Sequence, residues 1–325
     1  MRKILYSFMI TAALMLFNGC DTMNPANWHP YSDIQPLSSF MELEYPFDIK
    51  RVELPGGETI AYTEQGQGEQ TLILIHGLGS YMPAWKKNVP ELSKHFRVIA
   101  IDLPGYGKSS KIPHSGMMTY YAGVVKEFIE TLELESVVLG GHSMGGQISM
   151  VTALYYPQIV DKLVLTAPAG FEKFTEGQKE WFRSVMTVRS VMLTPVEAII
   201  SNLAYNFYEL PDDAEFMITD RIAMRSAEDF HAYSHAVVQS VNGMVDEATY
   251  SYLHKIKQPT LIIFGENDNL IPNRFLNPGF TRDVAKVGAE RIPHSELHMI
   301  PGSGHFVQFE SADRFNQIVI DYLNR

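Results

Sequence analysis

Short, uninterrupted apolar runs recur along the chain at Thr71–Ile75, Arg97–Ile101, Val137–Gly140, Leu163–Thr166, Thr260–Phe264 and Leu297–Ile300. A run of this length without polar alternation suits a strand buried on both faces, the condition of strands in a parallel sheet. Helical periodicity fills most of the gaps. Val124, Val125, Phe128, Ile129 and Leu132 share one helix face, and so do Phe315, Ile318, Val319 and Tyr322. Strand–helix alternation predicts an α/β fold with a doubly wound, mostly parallel sheet and a ligand crevice beyond the carboxyl ends of its strands. Upstream, Ile49–Leu54 and Thr59–Thr63 flank Pro55-Gly56-Gly57 and read as a hairpin.

The alternation breaks across 171–253, where Trp181, Phe182 and many Met and Tyr residues keep helical spacing with no clear strand run. The expectation is a helical cap inserted between two parts of an α/β core, 48–170 and 254–325. The 325 residues are 46% apolar and 19% charged, which excludes a disordered chain. The net charge of −11 argues against nucleic acid as a partner and against electrostatic adhesion to anionic lipid. A single cysteine excludes an internal disulfide framework and cysteine-based structural zinc.

Residues 1–20, MRKILYSFMITAALMLFNGC, read as a secretory signal: Arg2 and Lys3 supply the positive end, and Ile4 to Phe17 form an apolar run too short to span a bilayer comfortably. Gly19 before Cys20 resembles the lipobox of bacterial lipoproteins, although Phe17 stands where such signals usually carry Leu. The resemblance implies lipidation of Cys20 and a membrane-anchored protein of the bacterial cell envelope; the alternatives are a periplasmic or a secreted protein. Residues 21–47 hold four prolines before Phe47 and no periodic apolar stripe, and read as a tether.

The chemistry gathers at strand ends. Gly141-His142-Ser143-Met144-Gly145 follows the Val137 run and precedes a helical stretch, which suits a nucleophile on a tight strand-to-helix turn with small neighbours. His76-Gly77-Leu78-Gly79-Ser80 follows the Thr71 run, where a loop can aim a backbone N–H at a developing oxyanion. The paired donors would be the N–H groups of Leu78 and Met144. The His76 side chain reads as structural, and the His142 side chain is expected to point away from the Ser143 hydroxyl. Gly265-Glu266-Asn267-Asp268 and Gly302-Ser303-Gly304-His305 end two later runs, giving the order Ser…Asp…His. Asp268 is preferred to Glu266 because it lies deeper in its loop, just before Leu270-Ile271-Pro272. His231 and His235 have zinc-like i,i+4 spacing, but Ala232 stands where the metalloprotease pattern needs Glu, so no metal is expected.

HGLGS at 76–80, DLPGYGKS at 102–109, GHSMGG at 141–146, GENDNLIP at 265–272 and GSGHFVQFE at 302–310 resemble the α/β-hydrolase superfamily over roughly residues 48–325. The segment 273–295 is longer than the plain family version. The resemblance implies a Ser143–His305–Asp268 triad, an oxyanion hole at Leu78 and Met144, and no cofactor. It also disfavours the branches that use an aspartate nucleophile. Hydrolysis of a small apolar carboxylic ester through an acyl-enzyme is the first expectation, and cleavage of a carbon–carbon bond is the alternative. A catalytically silent binding protein of the envelope is the rival from outside enzymology. The sequence leaves the oligomeric state open.

Overall fold

The computed structural model describes Tyr31 and residues 33–325. Cys20 and the signal segment lie outside the described residues, as does the first part of the expected tether. Eight strands form one sheet: β1 Lys50–Glu53, β2 Thr59–Gln65, β3 Thr71–Ile75, β4 Arg97–Ile101, β5 Val137–His142, β6 Lys162–Thr166, β7 Thr260–Gly265 and β8 Ser295–Ile300. Their spatial order is β1-β2-β4-β3-β5-β6-β7-β8. The β1–β2 and β2–β4 pairs are antiparallel, and every pair from β4 to β8 is parallel. The doubly wound α/β expectation is met, and the apolar runs are its buried strands.

The helices are α1 Val89–Leu92, α2 Met118–Thr131, α3 Met144–Tyr155, α4 Glu176–Val185, α5 Val188–Met192, α6 Val196–Tyr205, α7 Glu215–Ala223, α8 Phe230–Asp246, α9 Thr281–Arg291, α10 Val307–Glu310 and α11 Ala312–Leu323. The sheet divides the core by the two-residue period of its strands. Ile73, Ile75, Leu139, Leu165 and Ile262 pack with Phe128 of α2, Ile148 of α3 and Ala285 of α9. Leu72, Leu74, Val138, Val164 and Ile263 pack on the opposite face with Trp85, Leu92 and Phe315. The long 273–295 segment is long because it holds α9.

Five helices, α4 to α8, lie between β6 and β7. Their local signals are mixed: Thr175 and Gln178 form a reciprocal capping box at the start of α4, whereas α8 has no side-chain cap. The loop before α2 approaches α8 closely. A Cβ on Gly243 would lie 2.2 Å from the Gly116 carbonyl oxygen, and Gly116 itself has φ +68°. That contact needs two glycines.

Residues 35–47 depart from the expected tether. Phe40, Leu43 and Phe47 are buried, and Phe40–Glu42 form a short 3₁₀ turn capped by Ser39. The Asp229 carboxylate accepts hydrogen bonds from the Phe40 N–H and the Ser39 hydroxyl, each at 2.7 Å. Tyr45 donates to buried Asp102 at 2.6 Å. Proline content misled because three anchoring apolar residues suffice to dock a segment that has no helical stripe. No helix among the described residues is long and apolar enough to cross a membrane.

Candidate active site

Ser143 sits between β5 and α3 with φ 53° and ψ −116°, a strained region for a residue with a side chain. Its surroundings hold it there. The Ser143 carbonyl accepts the N–H groups of Gly146, Gln147 and Ala169, and its own N–H donates to Thr166 at 2.9 Å. A Cβ on Gly145 would fall 2.3 Å from the Ile75 carbonyl oxygen, and one on Gly141 would fall 2.2 Å from the Gly145 carbonyl carbon. Small residues flank the serine because backbone already occupies that space.

The loop after β3 lies against this turn. A Cβ on Gly77 would stand 3.1 Å from the Ser143 Cβ. The N–H groups of Leu78 and Met144 have no acceptor among the described residues, so two backbone donors stand free beside the serine. Several groups fix the loop. His76 accepts the Leu103 N–H at Nε2 (3.1 Å) and donates from Nδ1 to the Gly77 carbonyl at 2.8 Å, which defines a neutral tautomer. Burial lowers its pKa, in keeping with that neutral state. Arg221 and Tyr233 both donate to the Gly79 carbonyl, and Tyr81 donates to Asp220 at 2.5 Å. Helices α7 and α8 thus grip the loop directly.

Asp268 and His305 meet as expected, although they come from loops after β7 and β8. His305 Nδ1 donates to Asp268 Oδ2 at 2.8 Å. Asp268 Oδ1 accepts the N–H groups of Leu270 (2.7 Å) and Ile271 (3.0 Å). Both residues are buried, whereas Glu266 is exposed. The His305 N–H donates to the Asn206 carbonyl at 2.8 Å, and the His305 carbonyl accepts His142 Nε2–H at 3.0 Å. The His142 and His305 rings lie 4.7 Å apart, centroid to centroid. Burial, then the neighbouring His305, push the His142 pKa well below its ordinary value, so His142 stays neutral. The Ser143 hydroxyl makes no hydrogen bond among the described residues, but Ser143 and His305 line the same cavity of about 410 Å³.

The lining of that cavity includes the apolar side chains of Phe174, Phe182, Met186, Met244 and Val245, together with Glu172. Leu78, Asn202, Asn206 and Phe306 are shared with a smaller cavity of about 70 Å³ lined by Arg221. Arg221 lies 5.0 Å from the Tyr233 ring centroid and has no carboxylate partner among the described residues. Among those residues no three His, Cys, Asp or Glu side chains gather in a group able to hold a metal; His231 and His235 lie on α8.

A model of the α/β-hydrolase fold family matches residues 70–312. The chain belongs to that family. Within it, the chain is 29% identical over 282 residues to the 2-hydroxy-6-oxononadienedioate/2-hydroxy-6-oxononatrienedioate hydrolase of Paraburkholderia phymatum, covering 84% of this chain and 94% of the relative. It is 30% identical over 275 residues to the enzyme of the same name from Escherichia coli O81 strain ED1a, covering 82% and 91%. Among solved structures, a thermophilic esterase from Thermogutta terrifontis superposes with a TM-score of 0.69 at 25% identity, covering 85% of this chain and 98% of that one. These family members make a hydrolase the supported class, and they favour the carbon–carbon alternative over the first, ester expectation.

Sequence reasoning missed Arg221, Glu172, Asn206 and the seat of His142 beneath His305. Arg221 and Asn206 come from the inserted helices, which carry no motif. His142 did carry a signal: a histidine beside the nucleophile on a fully buried strand needs a polar partner.

Proposed function

We propose that the chain is a serine-dependent hydrolase that cleaves the carbon–carbon bond beside the ketone of a conjugated keto acid. Ser143 is the nucleophile, His305 the base and Asp268 the orienting acid. The compound in the relatives' name has a ketone and two carboxylates but no ester, so hydrolysis at its ketone must break a carbon–carbon bond. One observation carries the reading to this chain: the unpaired Arg221 cation beside the Ser143 cavity, placed to hold a substrate carboxylate.

The steps follow from the groups present. With the substrate in its 2-oxo tautomer, the Ser143 oxygen adds to the C6 ketone while His305 Nε2 takes the hydroxyl proton. The Leu78 and Met144 N–H groups receive the oxyanion. Collapse breaks the C5–C6 bond, and its electron pair delocalises into the 2-oxo acid fragment, whose carboxylate Arg221 holds. His305 returns its proton to that fragment, which leaves as a 2-hydroxydienoate. Water, deprotonated by His305, then frees the acyl group from Ser143.

A second reading is hydrolysis of small apolar acyl esters by the same residues, favoured by the apolar cavity wall and by the esterase among the structural relatives. Turnover of a 2-hydroxy-6-oxodienoate and of p-nitrophenyl butyrate, each with wild type and Ser143→Ala, separates the two. The first reading requires a kcat/KM at least about a hundredfold higher for the dienoate, some 2.7 kcal/mol. Preference for the ester would install the second. Cys20 we propose to be lipidated and to tether the protein at the bacterial envelope, on the strength of the sequence pattern around it. Metabolic labelling with a fatty acid that tags wild type and Cys20→Ala equally would refute this.

A further inference from the structure

Glu172 lines the Ser143 cavity and is absent from the lining of the smaller cavity that contains Arg221. Its Oε1 accepts the Asn273 N–H and the Asn277 side-chain amide, both at 3.1 Å. Its Oε2 makes no hydrogen bond, and the carboxylate pairs with no cation among the described residues. Phe174, Phe182 and Met186 line the same cavity. Burial, despite both amide contacts and with some help from Asp268, raises its pKa, the expected direction for a carboxylate with little solvation to spare.

We propose that Glu172 makes the acyl end of the cavity reject anions, so that the substrates of this chain are monoacids whose acyl portion is neutral and apolar, and not dioates such as those in the relatives' name. This rests on the carbon–carbon reading for the identity of the acid end, which Arg221 holds. The acyl end carries its own argument. A second carboxylate entering there would meet an acidic side chain that has no cation partner among the described residues, within walls that are largely apolar, with few donors to replace its water. An alkyl or aryl group would meet hydrocarbon on most sides and lose nothing.

The experiment compares kcat/KM for neutral and anionic acyl groups in two series at pH 8. One series is 2-hydroxy-6-oxohexa-2,4-dienoate bearing phenyl or 2-carboxyethyl at C6; the other is the p-nitrophenyl esters of pentanoic acid and of glutaric acid with its distal carboxylate free. Wild type is expected to prefer the neutral member by at least about tenfold in both, or 1.4 kcal/mol. In Glu172→Gln the anionic member gains and the ratio falls to within about threefold. Equal turnover by wild type, a preference for the anionic member, or an unchanged ratio in Glu172→Gln overturns the proposal. Inert dienoates with the expected ester ratio would leave Glu172 in its role and remove the carbon–carbon reading instead.

Discussion

Replacing Asp268 by Asn tests the site at its most constrained point. The two carboxylate oxygens have separate duties: Oδ2 accepts from His305 at 2.8 Å, and Oδ1 accepts from two backbone N–H groups at 2.7 and 3.0 Å. An amide supplies only one acceptor. With its oxygen turned to Leu270 and Ile271, its NH₂ faces His305 Nδ1, and the imidazole must carry its proton on Nε2, where it can no longer take one from Ser143. With its oxygen turned to His305, two buried N–H groups lose their acceptor at about 1–3 kcal/mol each. The unproductive orientation is therefore favoured by about 2–6 kcal/mol, and the productive one holds about 3% of the population or less. Loss of the negative charge that stabilises the imidazolium adds to this. The expected result is a fall in kcat of about 10³–10⁴ with KM little changed. The fold should survive, because the favoured orientation keeps both backbone hydrogen bonds. Steady-state kinetics on a p-nitrophenyl ester and on a dienoate, with a thermal melt beside them, make the test. A variant within tenfold of wild type would show that Asp268 does not orient the base.

Gly145→Ala should cost about 3 kcal/mol and roughly 4–5 °C in Tm, since its new methyl group meets the Ile75 and His76 carbonyl oxygens at 2.3 and 2.7 Å; an unchanged melt would refute the packing described. Arg221→Met should depress kcat/KM for the dienoate about 30-fold or more beyond its effect on a neutral ester; equal losses would mean that Arg221 acts only through Gly79. The folded protein holds His76, His114 and His142 with lowered pKa values, through burial above all. Below pH of about 6.5 the unfolded chain takes up protons that the folded protein refuses, so their contribution to stability is complete above that pH and drains away below it. Urea unfolding at pH 7.5 and 5.5 checks the sign, and equal stabilities would contradict it.

The parallel strands were legible because burial on both faces leaves no polar alternation, so Thr71–Ile75 and Thr260–Phe264 advertise themselves. The Asp268–His305 pair and the strained turn at Ser143 could be anticipated because each residue follows such a strand with glycine beside it or close by. Gly145 shows why that glycine is needed: the Ile75 backbone fills its side-chain position. The inserted helices were legible only as helices. That Arg221 faces the Gly79 carbonyl depends on how α7 crosses the loop after β3, a long-range contact that leaves no local pattern in the residues around 221. Residues 35–47 failed for a similar reason: Phe40 and Tyr45 find their partners in Asp229, Tyr233 and Asp102, all distant in sequence.

The inserted helices are bolted to the candidate site at the Gly79 carbonyl and at the amide of His305, which hangs from the Asn206 carbonyl, among other contacts. Between those bolts, Phe174 to Met186 merely furnish the wall. A lineage can therefore refurnish the wall to suit a new acyl group while the bolts keep the reaction itself unchanged.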